Sequence, residues 1–245
     1  MKRLRRASAL GLALAGCMVR FSILRFRGRP TLEQRAHWLQ SACRYALRSL
    51  GIAYRVKGRP PVRGLVASNH MSYLDILMLS AVMPCFFVAK TEIERWPFFG
   101  MAARLGGTLF LERTSLASAA EAASLMEERM ALPVPVLLFP EGTSTDGCKV
   151  LRFHPWLFQP ACLAGAPVTA VALRYGMPPG AEERTVCWFG DEAFLPHLWR
   201  VLGAPDFTAE ICFGEPRIYT DRRTAARATH AEVSAMREGV AAITA

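Results

Sequence analysis

Acidic residues are nearly missing from the start of this 245-residue chain: residues 1–63 hold 15 Lys and Arg against a single acid, Glu33. The remainder holds 15 Lys and Arg against 19 acids, so the net charge of +10 is concentrated at one end. A segment this basic is drawn to an anionic surface. No nucleic-acid-binding module pattern is present, and apolar residues are interleaved with the N-terminal arginines. The expected partner is therefore an anionic phospholipid membrane surface and not a nucleic acid. Paired cysteine spacing is also missing. The seven cysteines, at 17, 43, 85, 148, 162, 187 and 212, are odd in number and form no C-x-x-C, which argues against a disulfide framework or a zinc site. They read as small buried hydrophobes of a reducing compartment. There is no G-x-S-x-G elbow, which removes the usual frame for a serine nucleophile at Ser68 or Ser72. Charged residues make up only 20% and hydrophobic ones 52%, enough for a large core with apolar surface to spare.

The basic cluster Lys2-Arg3-Leu4-Arg5-Arg6 precedes an apolar run from Ala7 to Val19, which Arg20 interrupts before Phe21-Ser22-Ile23-Leu24. Three readings fit. A secretory signal has such an n-region and h-region, and Leu14-Ala15-Gly16-Cys17 resembles a lipoprotein cleavage box. A membrane span needs about 20 apolar residues. An interfacial or re-entrant helix, its arginines snorkelling beside an apolar face, is favoured because the chain stays apolar and basic through Arg29. Residues 1–50 are read as N-terminal membrane-anchoring helices and 51–245 as the α/β domain.

Thr31 is placed to cap a helix over 32–50 that Gly51 ends. Strands are then expected near 52–56, 65–68, 85–89, 108–111, 134–139, 167–173, 185–189 and 209–213. Helices are expected over 72–82, 97–105, 115–131 and 221–243. Alternation of this kind predicts an α/β fold, a mixed, largely parallel sheet flanked by helices, preceded by the N-terminal membrane-associated helical segment. Residues 144–165 and 174–208 give no clear period.

Three constellations carry chemistry. In Ser68-Asn69-His70-Met71-Ser72-Tyr73-Leu74-Asp75, Ser72 can cap the third helix, with Asp75 in its first turn. On one continuous helix, positions five apart lie on different faces. With His70 before the cap, the carboxylate can reach back to the imidazole, fix its tautomer and leave the other nitrogen to accept a proton. Backbone N–H groups at the helix start are candidates for an oxyanion. An ordinary capping arrangement has the same spacing. The second, Phe139-Pro140-Glu141-Gly142-Thr143-Ser144, follows a buried strand, where open α/β sheets bind ligands, and it also fits a plain Pro-Gly turn. The third, Gly107-Thr108-Leu109-Phe110-Leu111-Glu112-Arg113, ends a strand in charge. Arg113 suits a phosphate, or an ion pair with Glu112. Trp96, Phe98, Phe99 and Met101 are candidates for the mouth of an apolar groove, or for core packing.

Together these blocks resemble the glycerophospholipid acyltransferase family of PlsC type: N-H-x-x-x-x-D at Asn69 to Asp75, G-x-x-F-x-x-R at Gly107 to Arg113, F-P-E-G-T at Phe139 to Thr143, and the later Ala166-Pro167-Val168. The resemblance covers about residues 52–175. It implies His70 as general base and Asp75 as its partner. It implies substrate binding by Asn69, Ser72, Gly107, Arg113, Glu141, Gly142 and Thr143. It implies acyl-CoA or acyl-carrier-protein as co-substrate, no metal and no cofactor, and a lysolipid acceptor, expected first to be 1-acyl-sn-glycerol-3-phosphate giving phosphatidic acid, at the cytoplasmic face of the inner membrane. Two positions depart from the pattern. Glu112 stands where Asp is frequent, and Ser144 stands where many members place Arg. The second departure leaves room for another acceptor, such as lyso-ornithine lipid, and the alternative outside catalysis is a membrane-binding protein on the same fold.

Overall fold

The computed structural model describes residues 1–94, 99–111 and 116–241. Among the described residues seven strands form one sheet: β1 (Ile52–Lys57), β2 (Leu65–Ser68), β3 (Phe86–Lys90), β4 (Leu109–Leu111), β5 (Val136–Leu138), β6 (Val168–Gly176) and β7 (Phe207–Phe213). The order is β1-β7-β6-β2-β5-β3-β4, and every pair is parallel except β6 with β7. β2 lies at the centre, between β5 and β6, and all four of its residues are buried. Its apolar run without polar alternation fits a strand covered on both faces.

The helices are α1 (Lys2–Phe26), α2 (Leu32–Leu50), α3 (Tyr73–Val82), α4 (Thr91–Glu94), α5 (Phe99–Gly106), α6 (Leu116–Met130), α7 (Gln159–Leu163), α8 (Phe194–Gly203) and α9 (Arg222–Ala241). Strand parity sorts them into two layers. Val66, Leu137, Val171 and Leu173 face a core shared with α1, α2, α3 and α8. Leu65, Ala67, Val136, Leu138, Val168 and Ala170 face the other core, with α6, α7 and α9.

α2 starts as its sequence indicates. Thr31 Oγ1 accepts from Gln34 N while Gln34 Oε1 accepts from Thr31 N, and Gly51 closes the helix at φ 71°. α1 continues through Arg20, whose guanidinium reaches the Tyr45 hydroxyl at 3.1 Å. It is a 25-residue helix, long and apolar enough by composition to cross a membrane, yet it packs on the domain. Trp38 Nε1 donates to Cys17 O at 2.8 Å, and buried Arg6 donates to Leu202 O, Ala204 O and Asp206. Its outer side, with Leu12, Val19, Ile23 and Phe26, is exposed.

The strand expected at 185–189 is a correction. Glu183–Val186 is a 3₁₀ turn, and the Trp188 N–H donates to Met71 O in place of a ladder partner. The apolar character of that stretch comes from burial beneath α8, where His197 bonds the Cys187 carbonyl at 2.9 Å. The helix α8 itself arises within a stretch whose sequence gave no clear period.

Candidate active site

β2 ends at Ser68, and the chain then turns sharply into α3. Asn69 makes that turn rigid. Its Nδ2 donates to Leu173 O at 3.0 Å and its Oδ1 accepts from Leu173 N at 2.8 Å, so the carboxamide extends the β2–β6 pairing by one step. Both polar atoms of Asn69 are therefore engaged within the fold. The next residue, His70, lies just outside the helix, as the position of Ser72 as N-cap requires.

Asp75 occupies the third position of α3 and is fully buried. Its Oδ2 accepts from Met71 N at 2.6 Å, from Ser72 N at 2.9 Å and from His70 Nδ1 at 2.7 Å. Its Oδ1 accepts from the Tyr175 hydroxyl. A carboxylate with this many donors has little freedom to move, and it holds the imidazole in one tautomer. No described residue bonds His70 Nε2, and the side chain is 19% exposed. The ring stacks on Phe139, centroids 4.0 Å apart and planes 12° from parallel. The arrangement presents one basic nitrogen to incoming substrate and packs the rest of the ring.

The segment after β5 clasps the same histidine from the other side. Glu141 is 4% exposed; its Oε1 accepts from His70 N and its Oε2 from Leu151 N, both at 2.7 Å. Burial pushes the Glu141 carboxyl up to about 7, against the pull of these two N–H donors. Thr145 adds two bonds to the His70 carbonyl, from its N at 2.9 Å and its Oγ1 at 3.2 Å. Gly142 makes the intervening turn at φ 75°, a conformation that favours glycine. Thr143 is exposed at the rim.

The expected site residues thus separate. His70, Asp75, Asn69, Ser72, Glu141, Gly142 and Thr143 come together. Asn69 and Glu141, read from the sequence as substrate contacts, have their polar atoms committed to backbone. Ser72 Oγ is buried without a hydrogen-bond partner among the described residues. The N–H groups of His70, Met71 and Ser72, at the helix start where oxyanion donors were expected, are spent on Glu141 and Asp75. Gly107, buried at φ 91°, ends α5 where an added Cβ would press on Phe86, a turn role. Arg113, Trp96 and Phe98 lie outside the described residues. Met101 is exposed on α5.

Sequence reasoning missed Tyr175 and the pair Glu183–Arg237. Tyr175 is 1% exposed, and burial together with the Asp75 charge pushes its phenol well above the ordinary value, so it remains a donor. Its backbone N–H donates to Glu183 Oε1 at 2.7 Å; Arg237 bonds Glu183 Oε2 at 2.7 Å and the Leu173 carbonyl at 2.7 Å. The only signal was parity: Val171, Leu173 and Tyr175 share the α3 face of β6.

A His–Asp pair at the carboxyl edge of a largely parallel sheet, its outer nitrogen open, defines a class of α/β protein built for general-base chemistry. Comparison with known proteins narrows the class. The Acyltransferase family pattern matches residues 54–174. The chain is 35% identical to a lyso-ornithine lipid O-acyltransferase of Rhodobacter capsulatus, covering 88% of this chain and 82% of that one. It is 37% identical to a 1-acyl-sn-glycerol-3-phosphate acyltransferase of Neisseria gonorrhoeae, covering 69% and 67%. The fold is similar to the crystal structure of the 1-acyl-sn-glycerophosphate acyltransferase PlsC from Thermotoga maritima, with a TM-score of 0.69, 19% identity, and coverage of 99% of this chain and 98% of the other. The chain belongs to the PlsC-type acyltransferase family.

Proposed function

We propose that the protein moves a fatty acyl chain from a thioester donor, acyl-CoA or acyl-carrier-protein, onto the free hydroxyl of a lysolipid. The observation that carries this reading is the 2.7 Å contact between His70 Nδ1 and Asp75 Oδ2, with Nε2 left open. As the acceptor oxygen attacks the thioester carbonyl carbon, His70 Nε2 takes its proton. The tetrahedral intermediate collapses, the C–S bond breaks, and the imidazolium returns the proton to the leaving thiolate. Asp75 steadies the imidazolium meanwhile. General-base assistance of this kind contributes typically about 10²–10⁴-fold, and orientation of the two substrates supplies the rest. Gly142, Thr143 and Arg113 are assigned to the acceptor's polar head. Asn69 and Glu141 hold the His70 loop in place.

Lyso-ornithine lipid is the acceptor we favour, since the relative bearing that name is similar over most of both chains and Ser144 replaces an Arg frequent beside phosphate acceptors. The second reading, 1-acyl-sn-glycerol-3-phosphate, is supported by the Neisseria relative. Membrane association is supported by the exposed apolar side of α1, joined on α8 by Leu195 and Trp199, and by the surrounding Lys2, Arg3, Arg5, Arg25, Arg27 and Arg29. We place this side on the cytoplasmic face of the inner membrane, where thioester donors are available.

The test is to incubate purified protein with acyl-CoA or acyl-carrier-protein and a panel of lysolipids, and to identify products by mass spectrometry. Acylation of one acceptor, with stoichiometric thiol release that His70→Ala abolishes, is the expected result. Free fatty acid without any thioester donor would replace this reading with that of a lipid esterase.

A further inference from the structure

A second candidate binding site lies on the opposite side of the sheet from α1. Between α9 and the loop that follows Leu151 is a cavity of about 720 Å³, lined by Arg152, Phe153, Arg223, Arg227 and His230, with Asp221 at its edge. That volume suits a small organic ligand. None of the three arginines has a carboxylate partner among the described residues. Asp221, at the edge, accepts with Oδ1 from Thr224 N and Thr224 Oγ1, both at 2.8 Å, and its charge acts on Arg223 without forming an ion pair. Three guanidinium groups against the one carboxylate of Asp221 give the cavity a net positive wall.

The cavity is joined to the candidate active site by structure. Residues 223, 227, 230, 234 and 237 follow helical 3–4 spacing and line one side of α9. At the far end of this stripe Arg237 bonds the Leu173 carbonyl, which Asn69 also holds. A smaller cavity of about 410 Å³ lies there, with Lys149, Arg174 and Arg237 in its wall. His230 Nε2 meets the Val150 carbonyl at 3.2 Å between the two cavities. Arg227 and Arg237 are ten residues apart, so the larger cavity lies roughly 15 Å along the helix from the end that reaches the site. An elongated ligand with a reactive end and a phosphate end fits this layout. Position favours a soluble ligand over a lipid: α9 packs on the sheet face away from α1, whose exposed apolar side with Leu12, Val19, Ile23 and Phe26 is the one read as facing the membrane.

We infer that Arg152, Arg223 and Arg227 bind the phosphate groups at the water-soluble end of the acyl donor, while its thioester lies at His70. The inference rests on the thioester-dependent reading above. Arginine guanidinium groups suit phosphate oxygens through paired N–H donors. The phosphate chemistry is shared by the nucleotide end of CoA and by the phosphopantetheine arm on a carrier protein.

The test uses the full-length protein with R152Q, R223Q and R227Q combined, and R227Q alone, a single exposed position, should the triple variant fold poorly. Calorimetric binding of CoA and the KM values for acyl-CoA, acyl-carrier-protein and lysolipid are measured. A rise of about tenfold or more in CoA Kd and acyl-CoA KM, with lysolipid KM within twofold, supports the site and identifies the nucleotide phosphates. The same rise confined to acyl-carrier-protein supports it and identifies the carrier-borne arm. Donor affinities unchanged in a folded variant overturn it, as does a variant that loses only its binding to anionic phospholipid vesicles. CoA binding that depends on the three arginines in a protein that acylates no lysolipid would leave this site standing and remove the proposed function.

Discussion

Two carboxylates are buried beside His70, and they are held differently. Asp75, from the start of α3, takes the imidazole, a tyrosine hydroxyl and two backbone N–H groups. Glu141, from the turn after β5, takes two backbone N–H groups and, among the described residues, no side-chain donor. Both close a loop by accepting from main chain, but only Asp75 touches the ring that would move a proton. The lesson is that a buried acid near a candidate base earns a chemical role from its partners and not from proximity. Asp75 is placed to act on the imidazole, and Glu141 to fix the peptide that carries it.

This contrast can be broken most severely at the ring. His70→Ala should lower kcat by about 10²–10⁴-fold with the circular dichroism spectrum unchanged. Asp75→Asn should fall in the same range, whereas Glu141→Gln should lose less. Equal losses for the two acid variants would erase the distinction. Tyr175→Phe comes next: about tenfold in kcat, the worth of one hydrogen bond to a charged group, with acceptor KM constant. A matching rise in acceptor KM would make Tyr175 a packing residue. Glu141 gives a stability effect. Its ordinary value is 4.5 and its folded value about 7, so between them the folded chain keeps a proton that the unfolded chain gives up. Stability therefore falls as pH rises through this window, by on the order of 3 kcal/mol in total. Denaturant melts across that range should show the slope in the wild type and a flatter one in Glu141→Gln. Smallest is Thr145→Val, which removes one hydroxyl bond to the His70 carbonyl and should cost about 0.5–1.5 kcal/mol, read as a shift in melting temperature.

The His70–Asp75 pair was legible because its geometry is local. Ser72 fixes where the helix begins, and that fixes which side Asp75 takes. The strand order around it was only partly legible. Alternation of strands and helices indicates parallel pairing, but that β6 and β7 run antiparallel depends on α8, which lies within a stretch rich in Pro, Gly and aromatics. Tyr175 could not be tied to Asp75 from sequence, since the two are 100 positions apart and meet through the register of β6. Glu141 was legible as a site residue but not in its partners, because an F-P-E-G-T turn looks the same whether its acid faces ligand or backbone. The run at 185–189 was misread for a related reason: burial under a helix produces the same apolar pattern as burial in a sheet.

The anchoring of Arg6 has a consequence for the order of synthesis. Its guanidinium closes on carbonyls of Leu202 and Ala204, nearly the whole chain away. At about 5–20 residues per second, the ribosome needs roughly 10–40 s to make those acceptors after Arg6 has been added. For that interval the 25-residue helix has only α2, which follows it directly, to pack on, and its amino end lacks the α8 side that holds Arg6. A nascent chain of this design has reason to meet lipid first and its own domain second.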